Sequence, residues 1–384
     1  MSAPCAIALL PGDGIGVEVV EHARRVLEMV AKLDGLALTF DEIPGGAQYF
    51  LANGRDWPEG AERRCAEADV IILGAVGWPD PHGRGTALRP DGKMAGWSLI
   101  VGNRVGLDLY ANIRPVKLLP GVRHLISGTF KQVWEPENVD IVFIRENTED
   151  LYAGAGGMLA PGGEAQVAVD SRIITRRATE RILRIAFETA MKDDRQRADG
   201  VRRVTCVAKD NVLHGCRLFV RLFDELGEQY PDVEREVVLV DAFTQWLVRR
   251  PEHYDVVVAP NMFGDIITEL ASALQGGIGL SIGCNVGDRH GMFEPIHGSA
   301  PKHAGRDRAN PMAAVLAAAE ALEWLGGRRA DDALVIAGAR IEAAVREVLR
   351  KGQTLTYDLV GQGRAASGSA VTDAVVHELE VGWR

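Results

Sequence analysis

Short apolar runs alternating with longer stretches of helical period constrain this chain more than any other feature. Residues 6–10 (AIALL), 70–73 (VIIL), 141–144 (IVFI), 204–208 (VTCVA) and 256–259 (VVVA) read as buried strands, whereas 17–33 and 175–191 carry an amphipathic helical period. Strand and helix units in alternation wind about a mainly parallel sheet, so the fold class is α/β. The last third is Ala-rich, with Pro311 suited to a first helical turn and few breakers over 312–325. At 384 residues the chain exceeds one core, which implies two domains or one large body with an insertion. Gly and Pro cluster at 74–96 and 154–163, where the spacing predicts long working loops.

A formal net charge of −10 argues against a general nucleic-acid surface, so an acidic small-molecule substrate needs focused arginines. The five cysteines (Cys5, Cys65, Cys206, Cys216, Cys284) contain no CxxC pair, fitting neither a disulfide framework nor a zinc site. Together with the lack of roughly 18 uninterrupted apolar residues, this leads to the expectation of a cytoplasmic protein with no membrane partner.

Residues 10–16 (LPGDGIG) lie between a strand and a helix and resemble a dinucleotide-binding glycine loop. The spacing fails: the third fingerprint glycine falls on Val17, and Asp13 stands where a pyrophosphate needs bare backbone.

Asp265 and Glu269, four apart at the start of a helix that follows the 256–259 strand, stack two carboxylates on one face. Oxygen-only ligands point to Mg²⁺ or Mn²⁺, against the plainer reading of a solvated acidic face. Arg104, Arg114 and Arg145 lie beside strand-like sequence and, if they converge, suit a substrate with two carboxylates. Lys209 ends a strand in a chain rich in arginine and is the better proton acceptor, since arginine practically cannot lose its proton. Tyr152 is a candidate acid.

Taken in order, LLPGDGIGVEV, LDLYANIRPVK, RENTEDLY, VAKDNVL, VDAFTQWLV, APNMFGDIITELAS and EPIHGSAPKHAG followed by ANP resemble the β-decarboxylating dehydrogenases. That family includes isopropylmalate, isocitrate, homoisocitrate, tartrate and D-malate dehydrogenases. The resemblance implies a two-domain fold distinct from the nucleotide-binding Rossmann domain. Residues 1–110 and 276–384 would form a large cofactor-side domain, and 111–275 a small dimerisation domain with an intersubunit arm at 154–169. It implies Tyr152, Lys209 and Asp241 as catalytic residues, Ser98, Ile100, Arg104, Arg114 and Arg145 around substrate, and Asp241, Asp265 and Glu269 as metal ligands. Glu269 departs from the Asp of most relatives. Cofactor contacts would fall on Ile15, Asn211, Glu294, His297, Gly298, Ser299, Ala300, Pro301, Lys302, His303, Asn310 and Tyr357. A homodimer with shared active sites is implied, Lys209 and Asp241 reaching into the partner's cleft.

The implied reaction is metal-dependent oxidation of a substituted D-malate at C2 by NAD(P)⁺, followed by loss of carbon dioxide. Ile100 stands where isocitrate enzymes have Asn and favours an alkyl or small third substituent. RENTEDLY lies nearer the isocitrate and homoisocitrate branches. Lys302 and Tyr357 match the NADP pattern, since a lysine pairs with a 2′-phosphate, whereas Gly361 replaces a phosphate-binding arginine, so NAD stays open. Two other classes stand beside this reading: a metal-free Rossmann hydroxyacid dehydrogenase, and a non-catalytic nucleotide-binding relative.

Overall fold

The computed structural model describes residues 4–83, 85–192, 197 and 199–382; the extreme ends of the expected large domain and Arg84 of the 74–96 loop lie outside them. The chain divides into two compact units, one of Met1–Leu109, Leu118–Trp134 and Gln275–Arg384, the other of Tyr110–Lys117 and Glu135–Leu274.

In the first unit the strands run in the order Ile282–Val286, Gly291–Pro295, Val70–Ala75, Cys5–Gly12, Leu38–Glu42. All neighbours are parallel except the antiparallel pair Ile282–Val286 and Gly291–Pro295. Helix Met312–Arg329 is buried on most of its circumference because alanines let it pack closely against helices Ile15–Asp34 and Asp332–Lys351 and against the sheet. Pro311 lies one position before this helix, as its N-cap.

The segment before Ala111 departs from the sequence expectation. Arg104 sits on the short helix Asn103–Gly106, entered through a π-turn at Ser98–Gly102. The buried Asn103 explains the shape: its side-chain amide donates to Leu99 O at 3.0 Å, and its backbone N–H reaches both Ile100 O and Ser98 O. Such wide turns often accompany functional positions.

The glycine loop is held by an internal anion. Asp13 is fully buried, and its carboxylate accepts from Ala47 N (2.7 Å), Gln48 N (2.8 Å) and Gly77 N (2.8 Å). It caps helix Ala47–Asn53, which has no cap of its own on Gly46. Gly14, at φ 60°, passes so close to Ser299 that a Cβ would lie 2.1 Å from its carbonyl oxygen.

In the second unit the order is Glu234–Leu239, Arg203–Ala208, Val256–Ala259, Asp140–Glu146, Ala111–Lys117, the first four mutually parallel and the last antiparallel. Helices Arg176–Met191, His214–Gly227, Val240–Arg249 and Asn261–Ser272 cover it. Phe187 stacks between Phe223 and Tyr230, at 5.3 and 4.9 Å between ring centres, and ties helix Arg176–Met191 to helix His214–Gly227 and the turn after it. Residues 154–163, read from sequence as loop, contribute half of a two-stranded hairpin, Gly156–Leu159 with Val167–Asp170, exposed at every position.

Candidate active site

The four parallel strands of the second unit each deliver a chemistry-bearing residue at or just beyond the carboxyl end, the edge where α/β sheets build sites. Strand Asp140–Glu146 carries Arg145, Arg203–Ala208 leads to Lys209, Glu234–Leu239 to Asp241, and Val256–Ala259 to helix Asn261–Ser272 with Asp265 and Glu269. The antiparallel strand Ala111–Lys117 adds Arg114, two register steps from the Asn112–Arg145 pair and so on the same face of the sheet.

Two of these arginines and Tyr152 meet at Asp265. Arg145 and Arg114 both donate to Asp265 Oδ1, the latter at 3.3 Å, and the Tyr152 hydroxyl donates to Oδ2 at 3.1 Å. Both guanidinium groups are buried, with Arg145 2 % and Arg114 6 % exposed. Fixed partners aim them: Arg145 Nε donates to Asn261 Oδ1 (2.9 Å), and Arg114 donates to Asn112 Oδ1 (2.8 Å) and Thr268 Oγ1 (2.6 Å). Gly264 makes the room, since a Cβ there would lie 2.7 Å from Arg145 Cγ.

Asp150 fixes the approach of Tyr152. It is fully buried at φ 69°, accepts from Met262 N at the head of the site helix (3.0 Å), and pairs with Arg172 at 2.7 Å. One acid thus joins the helix bearing Asp265 to the turn Leu151–Ala153 bearing Tyr152.

Burial, reinforced by the charge and hydrogen bond of Asp265, pushes the Tyr152 phenol above its usual range, so it keeps its proton. Burial also raises the Glu269 carboxyl; Asp265 adds to the effect, while Arg114 and Arg145 oppose it. Two stacked acids, one already resisting ionisation, form an all-oxygen donor pair that suits a hard divalent cation. Lys209 Nζ donates to Asp241 Oδ1 at 2.6 Å, which holds that exposed carboxylate below its usual range. Among the described residues no three acidic, His or Cys side chains of one chain gather tightly enough to enclose a metal.

The remaining sequence candidates lie in the first unit, apart from Asn211, an exposed residue after Lys209 whose carbonyl accepts from Arg217 at 3.2 Å. Arg104 donates to Glu294 Oε1 at 3.0 Å, which Asn285 also serves at 2.8 Å. Ser98 donates to the buried Asp56, and Ile100 leans on the core beneath it. Ile15 N donates to Ser299 O at 2.9 Å, Ser299 Oγ to Gly77 O, and Ala300 adopts φ 39°. Asn310 is committed to structure, capping Met312 N at 3.0 Å and donating to Asp358 at 3.0 Å. His303 stacks on Tyr357 at 5.5 Å, and Lys302 is exposed. His297 is buried, burial lowers its pKa, and its Nε2 has no partner, an orphaned polar atom that suits a ligand held beside residues 297–303. Sequence reasoning missed Asp56, Asp150, Asn261, Gly264 and Thr268.

The isocitrate/isopropylmalate dehydrogenase family model matches residues 6–375. The 3-isopropylmalate dehydrogenase of Thermobifida fusca is 40 % identical over 349 residues, covering 90 % of this chain and 91 % of that protein. The decarboxylating D-malate dehydrogenase of Escherichia coli is 35 % identical over 377 residues, covering 96 % and 97 %. The crystal structure of isocitrate dehydrogenase from Methylococcus capsulatus superposes with a TM-score of 0.82 at 33 % identity, covering 98 % of this chain and 99 % of that one. The protein is thus an oxidoreductase acting on a CH–OH group. It belongs to the isocitrate/isopropylmalate dehydrogenase family.

Proposed function

We propose that the protein catalyses metal-dependent oxidative decarboxylation of a (2R)-3-substituted malate to a 2-oxo acid, with 3-isopropylmalate as the favoured substrate. The observation that carries the reading is the convergence of Arg114, Arg145 and Tyr152 on Asp265, four residues from a Glu whose proton affinity burial has raised. The similarity to 3-isopropylmalate dehydrogenases supports the substrate, and the similarity to a D-malate dehydrogenase keeps unsubstituted malate as the second reading.

When bound, a divalent cation supplies Lewis acidity at the substrate hydroxyl and ketone, and a nicotinamide dinucleotide supplies the hydride acceptor. Asp265 and Glu269 would hold the cation, with Asp241 of a second copy completing the set in a homodimer. The loop 297–303, with Ile15, Glu294 and Tyr357, would hold the dinucleotide. Lys302, next in sequence to the His303 that stacks on Tyr357, favours a 2′-phosphate.

The protein's own groups account for the proton movements. Lys209 would take the C2 hydroxyl proton as the neutral amine, after giving up its own proton to solvent, while one of its remaining N–H groups still donates to Asp241. Tyr152 keeps its proton until C3 needs one after carbon dioxide leaves. Arg114 and Arg145, already rigid, hold carboxylates in fixed orientation, as does Arg104 on its own unit. No described helix is long and apolar enough to cross a membrane, which accords with a cytoplasmic enzyme.

The test is a panel of isopropylmalate, isocitrate, homoisocitrate, D-malate and tartrate, each with NAD⁺ and NADP⁺ plus Mn²⁺, read by nicotinamide absorbance. Turnover of isopropylmalate or D-malate that disappears in EDTA and returns with excess Mn²⁺ supports the proposal. Full activity in EDTA overturns it.

A further inference from the structure

The turn that carries Tyr152 is not held by burial. No residue of Leu151–Ala153 is buried, Tyr152 itself is 42 % exposed, and the exposed hairpin of Gly156–Leu159 with Val167–Asp170 follows directly. The phenol nevertheless reaches Asp265 at 3.1 Å, so its aim depends on where the turn is anchored.

That anchor is Asp150, whose backbone at φ 69° and ψ −144° strains any residue but glycine. Three contacts hold it there. Its N–H donates to Ile173 O at 2.8 Å, in an isolated antiparallel bridge that closes the base of the hairpin. Its Oδ2 accepts from Met262 N at 3.0 Å and from Arg172 Nη2 at 3.1 Å, while Oδ1 faces Arg172 Nε at 2.7 Å as a charge contact rather than an aligned hydrogen bond. Arg172 is seated in turn, its guanidinium lying 4.4 Å from the centre of the Phe263 ring, one residue beyond Met262. One arginine thus grips the acid directly and the helix of Asp265 through an aromatic ring. A residue held against its backbone preference by fixed partners is a rigid reference point, and Tyr152 lies two residues from it.

We propose that Asp150, gripped by Arg172, is a positioning residue for proton delivery: it holds the Tyr152 phenol on one face of the carbon that loses carbon dioxide, so that protonation there is confined to that face. The proposal rests on the malate oxidation above and deepens its last step. As carbon dioxide leaves, the electron pair of the broken C3–carboxyl bond stays behind as an enolate. The phenol proton then forms the new C3–H bond, and the phenolate regains a proton from the solvent it touches.

The experiment oxidises isopropylmalate in D₂O and reads which face of C3 receives deuterium, the 2-oxo acid being trapped at once as its hydroxy acid. Should only D-malate turn over, malate tritiated on one face of C3 serves instead and yields a chiral methyl group. Wild type should give one C3 epimer, and Tyr152→Phe, which releases an enol that water protonates on either face, a mixture. Arg172→Gln should give the same mixture, with kcat lower by about tenfold or more and substrate KM within about threefold of wild type, since Arg114 and Arg145 keep their own partners. Asp150→Gly accepts φ 69° without strain but lacks the carboxylate, and should scramble C3 likewise; it decides the matter if Arg172→Gln does not fold. A loss of folded protein lowers kcat yet leaves every turnover on one face. A mixture from wild type, or a single epimer from either folded variant, therefore overturns the inference while leaving malate oxidation standing. A single epimer from Tyr152→Phe overturns the acid role of Tyr152, and a wild type that oxidises neither substrate overturns the proposed function itself.

Discussion

Asp13 and Asp265 are both acids near the head of a helix, yet they are satisfied in opposite ways. Asp13 is sealed from solvent and takes three backbone N–H groups from two distant segments. Asp265 keeps part of its side chain in solvent and takes two guanidinium groups and a phenol. Backbone donors cannot leave without unfolding a turn, so the first arrangement is permanent. Side-chain donors on a partly open acid can change partners, so Arg114, Arg145 and Tyr152 are available to a substrate that brings its own carboxylates.

The largest effect that could break this contrast comes from replacing each acid by its amide. Asp13→Asn should lose about 3 kcal/mol, because the amide has one good acceptor for three donors and hydrogen bonds to charged groups are worth about 1.5–3 kcal/mol each. Thermal unfolding should show the loss, and no added anion should recover it. Asp265→Asn should lower kcat/KM at least about a thousandfold, the range expected when the proposed ligand to the cation is removed and guanidinium charge goes unbalanced. Its smaller loss of melting temperature should be reversed by a dicarboxylate such as malonate bridging the two arginines. Anion rescue of Asp13→Asn, or its absence in Asp265→Asn, would show that the two acids do not differ in kind.

A smaller effect sharpens the exchangeable side of the comparison. Tyr152→Phe keeps the ring beside Arg145, whose guanidinium lies 5.6 Å from its centre, and removes the hydroxyl with its proton. Net turnover should fall about a hundredfold or more, the usual worth of a positioned acid. Reduction of a supplied 2-oxo acid by the reduced cofactor, which needs no protonation at C3, should fall less. Equal losses in both half-reactions would remove Tyr152 from the acid role.

How much of this was legible in the sequence follows the same division. The strands at 141–144, 204–208 and 256–259 announce themselves by apolar runs; Arg145 and Lys209 stand out because they follow such runs directly, and Asp265 because it lies in the helix that opens after the third. Spacing also placed Asp265 and Glu269 on one helical face. What stayed hidden depends on tertiary neighbours. Nothing local says that Asp56 will meet Gly96 and Ser98 some forty residues away, or that Gly264 must lack a side chain because Arg145 passes over it. Arg104 was read beside a strand because 107–113 is apolar, whereas the buried amide of Asn103 turns the preceding segment into a helix. Asp13 carried a signal in the failed glycine spacing, and the structure gives it a structural use: its carboxylate binds the amides of Ala47, Gln48 and Gly77.

The smallest effect concerns Glu269, where the two kinds of acid meet. Glu269 is an exposed residue with no described backbone donor to its carboxyl, yet partial desolvation of that carboxyl raises its pKa above the ordinary glutamate value of 4.5. A folded-state pKa above the unfolded one means the native chain binds the proton more tightly. Its contribution to stability is therefore present in acid and is lost as pH rises from 4.5 through the raised value. A divalent cation reverses the sign by binding the ionised form and displacing the proton. Mg²⁺ or Mn²⁺ affinity, measured by calorimetry without substrate, should then weaken by up to about tenfold per pH unit below that raised pKa. Glu269→Gln should flatten this dependence while binding more weakly at neutral pH. A dependence unchanged in Glu269→Gln would assign the displaced proton to another group and leave Asp265 as the only exchangeable acid on the helix.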